Sequence, residues 1–158
     1  MVLSARRLRS EVRGRLKKLI KRPDKLAFGS IVNQGLPFYG GCVTYCFGVD
    51  CPGGDIRLTV PHYDGALTEI FVDGVHAGEI IFPPYELELK ELSAGRHEIE
   101  VKLYTNRRNA FGTVHLYDKK CHCIGPDAWR TSGCQWSYEY VLRNVGVESA
   151  PVIYSLKK

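Results

Sequence analysis

Apolar and polar residues alternate along most of this chain. "DIRLTVP" sets Ile56, Leu58 and Val60 against Asp55, Arg57 and Thr59, the period of a strand with one buried and one wet face. "TEIFVDGVHAGEI" predicts two short strands joined at Asp73-Gly74, because Asp-Gly accepts positive φ at both central positions of a type I′ turn. "YELELKELSAGRHEIEVKLY" repeats the design. Leu87 and Leu89 alternate with Glu86 and Glu88, Ser93-Ala94-Gly95 turns the chain, and Ile99, Val101 and Leu103 alternate with Glu98, Glu100 and Lys102. "CVTY", from Cys42, reads as a further strand, and "APVIYSL" as a closing one. "QWSYEYVLRNVG" predicts a strand with Trp136, Tyr138, Tyr140 and Leu142 on one face.

Helical spacing occurs in one place. Residues 3–21 set Leu8, Val12, Leu16, Leu19 and Ile20 between basic residues; Gly14 weakens this helix and Pro23 ends it. Many short strands punctuated by Gly, Pro and Asp predict an all-β protein, an antiparallel β-sandwich with an N-terminal α-helix. Residues 1–25 form the basic amphipathic helix and linker, and 26–158 the sandwich.

Charge sharpens that division. Ten Lys/Arg face only Glu11 and Asp24 in residues 1–25, giving +8; the whole chain carries +5, so the rest is −3. A nucleic-acid footprint requires basic residues on the body itself, so nucleic acid is not an expected partner. No apolar run reaches the length of a membrane span, and the start lacks the apolar segment of a secretory signal. Neither a membrane partner nor export is therefore expected. The six cysteines, at 42, 46, 51, 121, 123 and 134, are read as reduced thiols in a cytoplasmic protein. Their spacing lacks the matched C-x₂₋₄-C pairs of structural zinc.

The order of several motifs is informative. "GLPFYGGCVTY" opens the β part, "IFVDGVHAGEIIFPPYELEL" and "LSAGRHEIEVKLYTNRRNAFGTVH" fill its middle, and "WRTSGCQWSYEYVLRNVGV" comes near its end. Over about residues 30–155 this resembles the galactose-binding-domain-like jelly roll that accompanies the catalytic domains of bacterial glycoside hydrolases. It is similar to the sugar-binding or C-terminal β-domains of β-galactosidase-like and α-L-rhamnosidase-like enzymes. The resemblance implies carbohydrate contact or support of a catalytic glycoside hydrolase domain as partner. Catalysis in such enzymes belongs to a separate barrel, and a barrel of about 250 residues does not fit here. The chain is therefore expected not to be catalytic alone. The competing expectation is a purely structural interdomain or oligomerisation module.

Glycoside hydrolysis needs two carboxylates across a cleft. The densest acids, Glu86, Glu88, Glu98 and Glu100, alternate with core positions and read as a solvated strand face. Sugar binding needs a flat ring and a few hydroxyl-pairing groups. Phe38, Tyr39, Tyr85, Trp129 and Trp136 supply rings, with core packing favoured for Tyr39 and Trp136. "TNRRNAFGTVH" follows a strand and must be a loop, where binding residues gather. Asn106, Arg108, Asn109, His115, Trp129 and Arg130 are accordingly the candidate carbohydrate-binding residues. In "QGLPFYGG", Pro37 fixes its own φ and the glycine pair permits a close backbone crossing, so Phe38-Tyr39 is read mainly as a structural plug. No cofactor is expected. Sandwiches of this type accommodate a structural calcium, and Asp50, Asp55, Asp64 and Asp118, read as loop residues, are the oxygens available to it.

Overall fold

A computed structural model describes residues 21, 23–117, 125–129 and 131–156. The N-terminal helix expected over 3–21 lies outside the described residues, apart from Lys21.

The described chain is β-rich. Its strands are β1 (Cys42–Cys51), β2 (Gly54–Thr59), β3 (Tyr63–Asp64), β4 (Leu67–Val72), β5 (Val75–Ile80), β6 (Glu86–Leu92), β7 (Gly95–Tyr104), β8 (Gly146–Val147) and β9 (Val152–Ser155). Helix is confined to α1 (Arg108–Phe111) and one 3₁₀ turn, Pro126–Trp129, among the described residues. One sheet runs β1-β7-β4-β5, a second β6-β2-β9, and β3 pairs with β8. Every pairing is antiparallel.

The alternation read from the sequence sets which face is dry. On β7, Ile99, Val101 and Leu103 are fully buried, and Ile70 on β4 and Leu58 on β2 meet them in one core. That core also takes Tyr63 of β3, Val147 of β8 and Ile31 from the segment before β1, so all three sheets close on one apolar interior. Each such side chain contributes about 1.5–3 kcal/mol of burial. Thr68 shares the interior, and its hydroxyl donates to the Ile80 carbonyl at 3.3 Å. On the wet faces Arg57 pairs with Glu88 at 2.8 Å and with Glu86 at 3.5 Å, so these two acids are strand-face ion-pair partners.

The Asp73-Gly74 hairpin forms as expected, with φ of 51° and 78°. The segment 135–142 departs from expectation. It forms no strand; its ladder contact is one isolated bridge between Leu116 and Trp136. The reason is its partner. It lies along the irregular segment 113–117 instead of a sheet edge, with Ser137 N donating to His115 O and Val141 N to Val114 O, each at 2.7 Å.

Three loops are thereby gathered at one end of the sandwich: 29–41, 105–117 and 131–145. Thr105 donates through both its amide and its hydroxyl to Gly41 O, at 3.1 and 2.6 Å. A Cβ at Gly41 would lie 2.6 Å from the Tyr39 hydroxyl, so a side chain there would have to displace the Tyr39 ring. Gly146 combines a φ of 141° with a Cβ position 2.6 Å from Gly29 O, so only glycine lets 29–31 lie alongside 145–147.

Candidate functional site

The loop end is built on one amide. Asn109 is 3% exposed; its Nδ2 donates to Arg143 O at 2.8 Å, and its Oδ1 accepts from Arg143 N at 3.0 Å. It thus substitutes for a strand partner and ties loop 105–117 to loop 131–145. Asn106 acts more locally: its Oδ1 accepts from Arg108 N at 3.1 Å at the start of α1. Both side chains position the end, and Asn109 has both polar atoms engaged within the fold.

On that support stands a cluster of rings. His115 lies between Trp136 (centroids 5.6 Å, planes at 27°) and Tyr140 (5.0 Å, 38°). Tyr138 meets Trp136 at 4.2 Å and 76°, and Phe38 meets Tyr140 at 4.9 Å and 78°. The perpendicular pairs show the edge-to-face geometry that the ring quadrupole favours. His115 Nδ1 donates to Ser137 O at 2.8 Å, which leaves Nε2 as the acceptor nitrogen of the neutral ring. Phe38, Tyr138 and Tyr140 are 43%, 52% and 41% exposed. Such contiguous apolar exposure marks binding sites on soluble domains.

The sequence-based candidates divide on this frame. Asn106, Arg108, Asn109 and His115 are brought to the loop end. Trp129 is more than half exposed in the 3₁₀ turn, and Arg130 lies outside the described residues. Tyr39 does hold a corner, donating from its hydroxyl to Cys42 O at 2.8 Å. Phe38 is exposed and joins the ring cluster. Tyr85 packs on Tyr63 at 5.0 Å, against the core. Tyr138 and Tyr140 were not among the candidates, because their alternation with Trp136 read as a buried strand face.

A second constellation invites a catalytic reading. His97 Nδ1 lies 2.6 Å from Asp73 Oδ2, and its Nε2 lies 3.2 Å from Ser93 Oγ and 3.0 Å from Ser93 O. Both ring nitrogens therefore face acceptors. The Asp73 carboxylate and the Ser93 carbonyl hold the His97 pKa above its ordinary value, and His97 with the Glu98 amide holds Asp73 below its own. With Nδ1 on the Asp73 carboxylate and Nε2 at 3.0 Å from the Ser93 carbonyl, both ring nitrogens are engaged in holding the two hairpins together, so the arrangement is a latch and Nε2 is not presented to Ser93 Oγ as the free base of a nucleophilic triad.

Among the described residues no three His, Cys, Asp or Glu side chains converge on a cation site. Asp50, Asp55 and Asp64, expected in loops, sit in β1, β2 and β3, and Asp55 accepts the Glu91 amide at 3.0 Å. Asp118 lies outside the described residues. Cys42 and Cys46 are both exposed on β1, but with three residues of strand between them they stand about 13 Å apart, too far to share a metal. A cleft of about 570 Å³ runs beside β1, lined in part by Leu26, Phe28, Leu36, Tyr39 and Phe47. No helix among the described residues is long and apolar enough to cross a membrane.

The fold is similar to part of a rhamnosidase from Novosphingobium sp. PP1Y, with a TM-score of 0.52 and 20% identity over 75% of this chain and 11% of that one. It is also similar to part of a GH2 beta-galacturonidase from Eisenbergiella tayi, solved bound to glycerol, with a TM-score of 0.50 and 20% identity over 82% of this chain and 19% of that one. No protein-family model matches the chain, and no curated protein sequence matches it. What the likeness establishes is the fold: an all-β sandwich that recurs as a minor part of two much larger glycosidase chains. The chain spans between about a tenth and a fifth of their length.

Proposed function

We propose that this chain is a non-catalytic accessory domain of a glycoside hydrolase, of jelly-roll type, that contacts carbohydrate for a catalytic domain. The observation that carries the reading is the likeness of this sandwich to an 11% and a 19% share of two glycosidase chains, with most of each chain left for other work. The loop end supplies means of contact: rings for the C–H face of a pyranose, with Asn106, Arg108 and His115 beside them and Asn109 holding the loops in place; Trp129 and Arg130 are the further proposed contacts. Loops at the ends of a rigid sandwich are where such sites are carried. A cytoplasmic location goes with this reading, supported by the free thiols of Cys42, Cys46, Cys51 and Cys134.

Retention of the purified chain on a panel of immobilised polysaccharides tests the proposal. Retention that soluble oligosaccharide competes away is expected, with no hydrolysis of aryl glycosides. Hydrolysis abolished by changing one of Glu86, Glu88, Glu98 or Glu100 would instead make the domain an enzyme.

The apolar cleft beside β1 favours a second reading, a structural module docked on an adjoining domain. Phe28, stacked on Tyr45 at 5.3 Å, is 38% exposed there, as is Tyr39. A chain retained on no glycan, yet bound by a separately expressed catalytic domain, would establish it.

A further inference from the structure

The ring cluster has charged neighbours that the carbohydrate reading does not use. The three loops at this end carry Arg107, Arg108 and Arg143 against a single acid, Glu139, within a body whose net charge is −3. These three loops therefore carry a local excess of positive charge. Arg107 is exposed, and its Cγ lies 3.5 Å from where a Cβ on Gly40 would stand, two residues beyond Phe38. Arg143 follows Tyr140 by three residues, and Asn109 fixes its backbone. Arg108 opens α1 between them in sequence. The ion pairs of the described residues engage Arg57, Lys102, Lys21 and three histidines; none of them engages these three arginines.

We propose that the loop end recognises an acidic sugar, a pyranose carrying a carboxylate: its C–H face lies on the rings of Phe38, Trp136, Tyr138 and Tyr140, and its carboxylate is met by the guanidinium groups of Arg107 and Arg143. The inference rests on the carbohydrate reading above and adds the charge of the sugar to it. The chemistry is direct. A guanidinium offers a planar fork of donors that matches a carboxylate, and charge-assisted bonds are about twice as strong as neutral ones. Rings alone accept any sugar with an apolar face. Arginines beside them distinguish a uronate from its uncharged counterpart. Rings and arginines also serve single-stranded nucleic acid, but that requires a basic groove tracking several phosphates. Three arginines on an acidic body, with Glu139 among the rings, fit one carboxylate better than a polyanion.

Titration of the full chain with trigalacturonate and with its methyl ester separates the possibilities, because the ester keeps the sugar and removes its charge. The acid is expected to bind about tenfold more tightly, with the advantage erased at about 0.5 M salt. Arg107→Ala and Arg143→Ala should each shrink the difference and leave the ester's affinity unchanged, while Phe38→Ala should weaken acid and ester alike. Arg143→Lys, which keeps the charge, should retain part of the advantage; it guards against loss through misfolding, and a melting curve is recorded for each variant. Equal affinity for acid and ester overturns the charge inference and leaves the carbohydrate reading standing. No binding to either compound, with other glycans also refused, overturns both. Tighter binding of oligothymidylate than of trigalacturonate overturns the inference in favour of nucleic acid.

Discussion

Strand β7 and the stretch from Trp136 to Leu142 carry the same alternation and fold in different ways. In β7, Ile99, Val101 and Leu103 are fully buried, and the strand has partners on both sides, β1 and β4. In the later stretch Trp136, Tyr138 and Tyr140 alternate just as regularly, yet no ladder forms and two of the rings stay largely exposed. The difference lies in what each segment faces. β7 lies in the interior of a sheet, where both edges satisfy its amides and aliphatic side chains fill the space between sheets. The later segment faces a loop, bonds its backbone to Val114 and His115, runs into Arg143 where the Asn109 side chain holds the chain, and packs its rings on one another. Alternation states which side chains share a face. It does not state whether that face is covered.

The strongest break of this contrast is in the body. Leu103→Ala removes a fully buried side chain and is expected to cost about 2–5 kcal/mol in chemical denaturation. Loss of less than about 1 kcal/mol would mean that the interior is looser than the burial implies.

Asn109→Ala comes next. It leaves the Arg143 amide and carbonyl without their partner and is expected to cost about 1–3 kcal/mol. Hydrogen exchange should speed up in residues 141–145 before it does in β7. Uniform acceleration across both regions would show that the loop end and the body unfold as one unit.

The hairpin latch at the other end gives a pH signature. His97 has a raised pKa, so its contribution is complete below its unfolded value of about 6.5 and is lost as pH rises through the folded value. Asp73 has a lowered pKa; its contribution is present above about 3.8 and is lost as pH falls through the folded value. The latch is therefore complete between roughly pH 4 and 6.5 and weakens on either side. His97→Gln should flatten the alkaline decline in melting temperature, whereas variants at the loop end should leave its slope untouched. A decline unchanged in His97→Gln would place its cause elsewhere.

The smallest effects on stability belong to exposed rings. Trp129→Ala is expected to leave the melting temperature nearly unchanged and to reduce retention on glycan by about 0.5–1.5 kcal/mol. Trp136→Ala, which loses packing against both His115 and Tyr138, should lower the melting temperature as well. Unfolding of Trp129→Ala would place that ring in the core.

Much of the body was legible in the sequence because its signals are local. Asp73-Gly74 specifies its turn through two φ values, and Ile56, Leu58, Ile99 and Val101 specify their faces through period-two spacing. The candidate site was legible only as a list of residue types. Asn109 and Asn106 read as hydroxyl-pairing groups, yet the folded chain uses their side chains first to hold its own backbone, which removes Asn109's polar atoms from solvent. Phe38 read as a plug and became part of an exposed cluster, because the residue it meets, Tyr140, lies about a hundred positions away.

By itself, then, the sequence determined an all-β architecture, its Asp-Gly hairpin turn and its dry faces. Each follows from steric and hydrophobic rules acting over a few neighbouring residues. Only tertiary structure decided that loops 29–41, 105–117 and 131–145 meet, that Phe38 packs against Tyr140, and that His97 answers to Asp73. Those contacts join residues far apart in sequence, and no spacing along the chain records which distant side chain will be satisfied by which distant backbone.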